Sequence, residues 1–366
     1  MRMTSQDYRI ESAADLEQIL SHADFKREHL FFIPVISAND PARILGRHEH
    51  VIVVPRQGVS VLRYMAVHGT DSQDTEQLDL AVEQPEGTVY VLPTEYERIW
   101  SLLTFAGNDF LSNRLVPVLS RQKRAFPQFT LTNDDIKGIL AGLDQGGPWE
   151  KLESWHAVLR PRGGGGKTQD HYHQRYEKLF ALVDMKEALL ERLRVVCIGP
   201  TELDFTLYRD GSVRIRSGQW AHFQRFLRHP ILSRAADRLS LVAGRGRRSF
   251  QDLGRPLEVQ LEQPVFRTPE GNSELVAALQ SSGIGSVAVL HLNPYLHASM
   301  VDLINGASID IFVTSPETVL VVPGYGANEG SLLRVLRTIT DTICEGQVLD
   351  AEPSPRLSLA DLAGVD

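Results

Sequence analysis

Eleven arginines lie between Arg209 and Arg255, with no lysine and only Asp210, Asp237 and Asp252 among them. The stretch therefore carries a net +8 inside a chain of net −8. Such an asymmetry calls for an anion, in another molecule or elsewhere in the chain. Guanidinium groups donate planar, charge-assisted hydrogen bonds that suit phosphate oxygens. Arg214 and Arg216 alternate with Val213 and Ile215, so a strand would set both on one polar face. Gly244-Arg245-Gly246-Arg247-Arg248 is a glycine-spaced basic loop whose backbone could approach a phosphate chain closely. Arg214, Arg216, Arg245, Arg247 and Arg248 are the candidate contacts to nucleic acid or another acidic macromolecule. The choice of arginine over lysine carries no weight, because no lysine follows Lys186 anywhere in the chain.

Two other groupings invite chemistry. Gly163-Gly164-Gly165-Gly166-Lys167-Thr168 resembles the end of a phosphate-binding loop, with Lys167 and Thr168 at the ligand. The pattern must open on glycine, and Pro161 stands there, so a linker is the better reading. Asp170, His171 and His173 follow at once and offer three N/O metal ligands close together. They have no evident further partners, and the sequence names no cofactor. A phosphate-substrate or metal-dependent enzyme using residues 163–173 is the alternative function.

A third possibility needs no second molecule. Between Asp71 and Glu86 lie six acids and no base. This stretch could pair with 209–255 within the chain or across a self-associated assembly, which would make the protein a scaffold.

The elements that must position these groups read as α+β. Ser12 with Asp15 caps a helix, Thr132 starts another, and residues 331–343 form an amphipathic third. A helix is also expected from about Arg175 to Arg194, one after Thr94, and one from Asn293 to Gly306. Residues 30–35, 51–54, 59–67, 89–92 and 287–292 read as strands. So do Leu257, Val259 and Leu261, which alternate with polar residues. Around Arg209-Asp210-Gly211 a three-residue loop with Gly211 left-handed sets Leu207 opposite Val213, Phe205 opposite Ile215, Thr206 opposite Arg214 and Asp204 opposite Arg216. A two-residue loop would mix the apolar and polar faces.

The glycine-rich run is expected to join two mixed domains of hairpins and helices: 1–145, a linker at 146–170, and 171–352 with an arginine-rich surface. Residues 353–366 form a loose tail. Two distant cysteines, no secretory leader and no spanning segment fit a cytoplasmic protein without membrane contact. No nucleophile elbow or zinc-protease motif is present. The expectation is a non-catalytic binding or regulatory component.

Overall fold

The computed structural model describes residues 10–65, 85–162, 168–246 and 254–351. The chain divides into two compact units, 1–161 with 166–236, and 162–165 with 237–366. Helices and two antiparallel sheets make the architecture α+β. Among the described residues, no helix is long and apolar enough to cross a membrane.

The first unit is built on ten strands: β1 (Leu30–Ile36), β2 (Val51–Arg56), β3 (Val59–Met65), β4 (Pro85–Pro93), β5 (Ile99–Thr104), β6 (Lys151–Pro161), β7 (Gln169–Arg175), β8 (Ala188–Ile198), β9 (Leu203–Tyr208) and β10 (Val213–Ser217). Their order across the sheet is β2-β3-β4-β5-β1-β10-β9-β8-β6-β7. Its helices are α1 (Ala13–His22), α2 (Pro41–Leu45), α3 (Asn108–Phe110), α4 (Val116–Arg121), α5 (Asn133–Gly146), α6 (Tyr176–Met185), α7 (Trp220–Phe223) and the first part of α8 (His229–Val242), which runs across the division. A π-helical turn joins α3 to α4, and another joins α7 to α8. Caps fix two starts: Ser12 Oγ accepts from Asp15 N, and Thr132 forms a reciprocal capping box with Asp135.

Alternation along β1 feeds two cores. Phe32 turns to one face, where it meets Phe223 edge-on at 5.5 Å between ring centres. Val213, opposite Phe32, and Phe205 and Leu207 on β9 are fully buried or nearly so. Phe31 and Val35 turn to the other face and join Leu62, Val89, Val91 and Leu102 under Leu45, Phe110, Leu111 and Leu115.

The second unit carries β11 (Leu257–Leu261), β12 (Gly285–His291), β13 (His297–Asp302), β14 (Ser308–Ser315), β15 (Thr318–Pro323) and β16 (Gly346–Asp350), in the order β12-β13-β14-β15-β11-β16. Helices α9 (Pro269–Ser281) and α10 (Glu329–Thr342) accompany it. Burial alternates strictly along β11, β14 and β15: Val259, Ile311 and Val321 face the core, and Gln260, Phe312 and Leu320 do not. A buried ion pair ties α10 to the end of β13, with Arg334 Nε donating to Asp302 Oδ2 at 3.1 Å.

Four expectations change. The glycine run separates β6 from β7, which pair with each other (Glu153 opposite Arg175, Leu159 opposite Gln169), so it interrupts one sheet. The division into compact units falls after Ala236. Glycine breaks regular structure equally well in a hairpin connection and in a linker, and composition does not distinguish them. The helix expected to run to Arg194 ends at Met185; Glu187 turns the chain with φ +48°, and β8 begins. Thr94 starts no helix: its Oγ1 accepts from Tyr96 N at 3.1 Å in the turn joining β4 to β5. The segment after Asn293 enters β13, whose Ala298, Met300 and Asp302 are buried in alternation. The tail 353–366 lies outside the described residues.

Candidate anion-binding face

The loop at 209–211 has the form that the apolar and polar alternation requires. Gly211 takes φ +79°, Tyr208 N bonds Ser212 O at 2.9 Å, and Leu207, Thr206 and Phe205 lie opposite Val213, Arg214 and Ile215. The expected pairing of Asp204 with Arg216 is displaced by one residue. A bulge sets Ser217 opposite Asp204 and leaves Arg216 as the extra residue beside it. Arg214 and Arg216 therefore stay next to each other, each half-buried.

The same face continues over β9 and β8. A single cross-strand row runs Phe31, Arg214, Thr206, Arg194, His156 over β1, β10, β9, β8 and β6. Two residue pairs further along, Arg192 lies opposite Tyr208. Two Arg-x-Arg strands, 192/194 and 214/216, thus flank β9. They stand two strand spacings apart, roughly 9–10 Å, with about 6.8 Å between arginines on one strand.

The arginines are held from below and from the side. The Arg194 guanidinium lies over Trp155 at 5.0 Å and that of Arg214 over Phe31 at 5.1 Å. Arg194 grips Asp204 with two bonds, Nε to Oδ1 at 3.0 Å and Nη2 to Oδ2 at 2.7 Å. That bond raises the Arg194 pKa, against the opposing effect of burial. Arg214 Nη2 donates to His29 Nδ1 at 2.6 Å. A guanidinium only donates, so His29 is neutral here with its proton on Nε2. Burial, then Arg214 and Arg216, pull the His29 pKa down, and burial followed by Arg216 lowers that of Arg214.

What remains unpaired on this face is a set of donors. The buried Nε atoms of Arg192, Arg214 and Arg216 and the hydroxyls of Thr206 and Ser217 have no hydrogen-bond partner among the described residues. Thr206 and Ser217 are themselves only 3% exposed. The half-buried guanidinium groups of Arg214 and Arg216, adjacent and without a carboxylate between them among the described residues, match an anion at the surface of the face. The two like charges on β10 repel by roughly 2 kcal/mol at an effective dielectric near 20, and by less where water screens them.

The other described arginines of 209–255 in the first unit have local contacts. Arg225 lies over Phe226, Arg228 bonds Gln224 and Ser101, and Arg234 pairs with Asp135. Arg238, Arg245 and Arg255 belong to the second unit. Arg245 is 6% exposed and is spent on the carbonyls of Leu241 and Pro256 and on Asp350. Its guanidinium is thus engaged within the second unit. Arg247 and Arg248 lie outside the described residues. Sequence reasoning missed Arg192, Arg194 and His29. The Arg-x-Arg repeat at 192–194, flanked by Leu193, Val195 and Cys197, is the strand signal that would have found the first two.

The 163–173 candidates fare differently. Lys167 lies outside the described residues, and Thr168 is exposed just before β7. Alternation on β7 sends Asp170 and His171 to opposite faces, and Asp170 Oδ1 meets His156 Nε2 at 3.0 Å. The side chain of His173 is not described. Among the described residues no group of three or more His, Cys, Asp and Glu could hold a metal ion. The acidic residues 71–83 are outside the described residues as well, while Glu86 accepts from Arg114 Nε at 2.7 Å.

No family model and no curated protein matches this chain.

Proposed function

We propose that the chain is a non-catalytic binding component whose β8–β10 face holds the phosphate backbone of a nucleic acid. One observation carries this. Arg214 and Arg216 lie side by side, half-buried, with their Nε donors unpaired, while Asp204 is already gripped by Arg194. A protein that needed these charges only for its own stability would place a carboxylate between them. An anionic ligand relieves their repulsion and accepts from the guanidinium nitrogens that reach the surface of these half-buried side chains. The net charge of −8 keeps attraction local to the face and away from the rest of the surface.

Contacts of this kind recognise phosphate and carry little sequence information. Fluorescence anisotropy with labelled single-stranded and duplex oligonucleotides of mixed sequence tests it. Log affinity should fall linearly with log salt between about 50 and 200 mM, at similar affinity for unrelated sequences. No binding at the low-salt end, or binding indifferent to salt, removes the proposal.

A further inference from the structure

Two open sheets have four edge strands, and among the described residues those edges are β2 and β7 in one sheet and β12 and β16 in the other. Edge strands expose unpaired backbone N–H and C=O groups, and proteins guard them with proline or charge. Three of the four are guarded. β2 ends in Pro55-Arg56, β7 contains Asp170 and Arg175, and β16 ends in Asp350. β12, Gly-Ser-Val-Ala-Val-Leu-His, has neither proline nor a fixed charge.

The neutrality extends beyond the strand. From Leu275 to Val301 the chain has no Asp, Glu, Lys or Arg, in a sequence of which 23% is charged. Large apolar side chains nevertheless reach solvent around this edge: Leu290 is 61% exposed, Tyr295 66% and Leu303 67%, with Val289 and Val301 beside them. Scattered exposed leucines need no explanation, but a neutral, β-branched edge strand flanked by them does.

We infer that β12 is the seam of a homodimer, in which it pairs antiparallel with β12 of a second copy about a twofold axis. Copies of a chain with net charge −8 repel each other, and the repulsion is least where both surfaces lack charge. A second copy presents a neutral edge of the same length to this one, and an antiparallel pairing is self-complementary. Centred on Ala288, it sets Ser286 of each copy opposite Leu290 of the other and joins two six-stranded sheets into one continuous sheet. Backbone groups that face solvent then close a ladder, and Val289 and Leu290 leave water. The interface lies in the second unit and does not depend on the arginine face of the first.

Sedimentation velocity of the full chain over a dilution series tests this, alongside Leu290→Lys. The leucine is exposed, so the lysine is tolerated in the fold; opposite Ser286 of the other copy it removes an apolar contact and puts a charge on the neutral edge. The wild type should sediment at twice the chain mass, and the variant should dimerise on the order of tenfold more weakly with unchanged far-UV circular dichroism. Ala288→Cys gives a second readout. The chain's own Cys197 and Cys344 are buried, so mild oxidation should link two copies through the new thiol. A wild type monomeric throughout, a Leu290→Lys variant that dimerises undiminished, or an Ala288→Cys variant that fails to cross-link overturns the inference.

Discussion

Arg194 and Asp204, on neighbouring strands, bond through both guanidinium and carboxylate edges at 3.0 and 2.7 Å, and this pair sets the charge balance of the whole face. Asp204 is also the carboxylate that acts on Arg214 and on His29. With both its oxygens engaged by Arg194, it screens its other neighbours only at a distance. Replacing it with alanine should free Arg194 and leave three adjacent guanidinium groups on the sheet. Asp204→Ala should bind oligonucleotide more tightly and unfold more easily, by about 1–3 kcal/mol. Anisotropy and urea denaturation on the same sample check both signs; weaker binding would show that Asp204 itself helps to shape the ligand site.

Arg214→Ala with Arg216→Ala should weaken nucleic-acid binding uniformly across sequences. The slope of log affinity against log salt should drop by about 1.5–2, the value for two lost phosphate contacts. An unchanged slope would place the contacts elsewhere.

Arg245→Ala should do the opposite. Its guanidinium bridges two backbone carbonyls and Asp350 inside the second unit, so its loss should destabilise by about 1–3 kcal/mol and leave oligonucleotide affinity alone. The comparison with the Arg214 and Arg216 variants separates arginines that hold the fold from those that meet the ligand.

His29 gives the face a pH dependence. Its pKa is depressed, so below about pH 6.5 the unfolded chain takes up a proton that the folded state resists. Stability should therefore fall as pH drops below that value. A bound anion favours the imidazolium, so affinity should rise over the same window. His29→Gln keeps an acceptor for Arg214 and cannot titrate. Denaturation and anisotropy at about pH 7.5 and 5.5 should show both dependences flattened in the variant; curves parallel to wild type would assign them to other groups.

The buried pair of Arg334 and Asp302 predicts the largest single effect. Asp302 is 1% exposed and also accepts from Ile304 N at 2.7 Å. Asp302→Ala removes the carboxylate paired with a buried guanidinium and should lower stability by about 3–5 kcal/mol, read as a lower urea midpoint at unchanged slope.

The part of the site that could be read from sequence is the part where local rules act alone. Gly211 and the alternation of 203–216 settle the loop and three cross-strand pairs, because any other register mixes faces. The bulge at 216–217 escaped, since nothing local marks where Asp204 is claimed by a third strand. β8 escaped for a different reason. Its residues suit a helix as well as a strand, and only its place between β9 and β6 decides. Asn293-Pro294 shows the same competition, where good capping residues lost to the buried alternation of Ala298, Met300 and Asp302. The bonds of Arg245 could not be read from sequence, because glycine beside arginine looks alike whether the guanidinium turns to solvent or back onto carbonyls. The α+β class survived all of this, resting on many segments at once.

The order of the ten-stranded sheet has a consequence for how the protein is made. β1 is flanked by β5 on one side and by β10 on the other, and His29 meets Arg214 across 185 residues of chain. When β5 leaves the ribosome, one side of β1 still lacks its neighbour, and just over a hundred further residues must be synthesised to supply it. At about 5–20 residues per second that wait lasts roughly 5–20 s. Through that interval Phe31 and Phe32 sit on an open strand edge, and the nascent chain carries exposed apolar surface until β10 arrives.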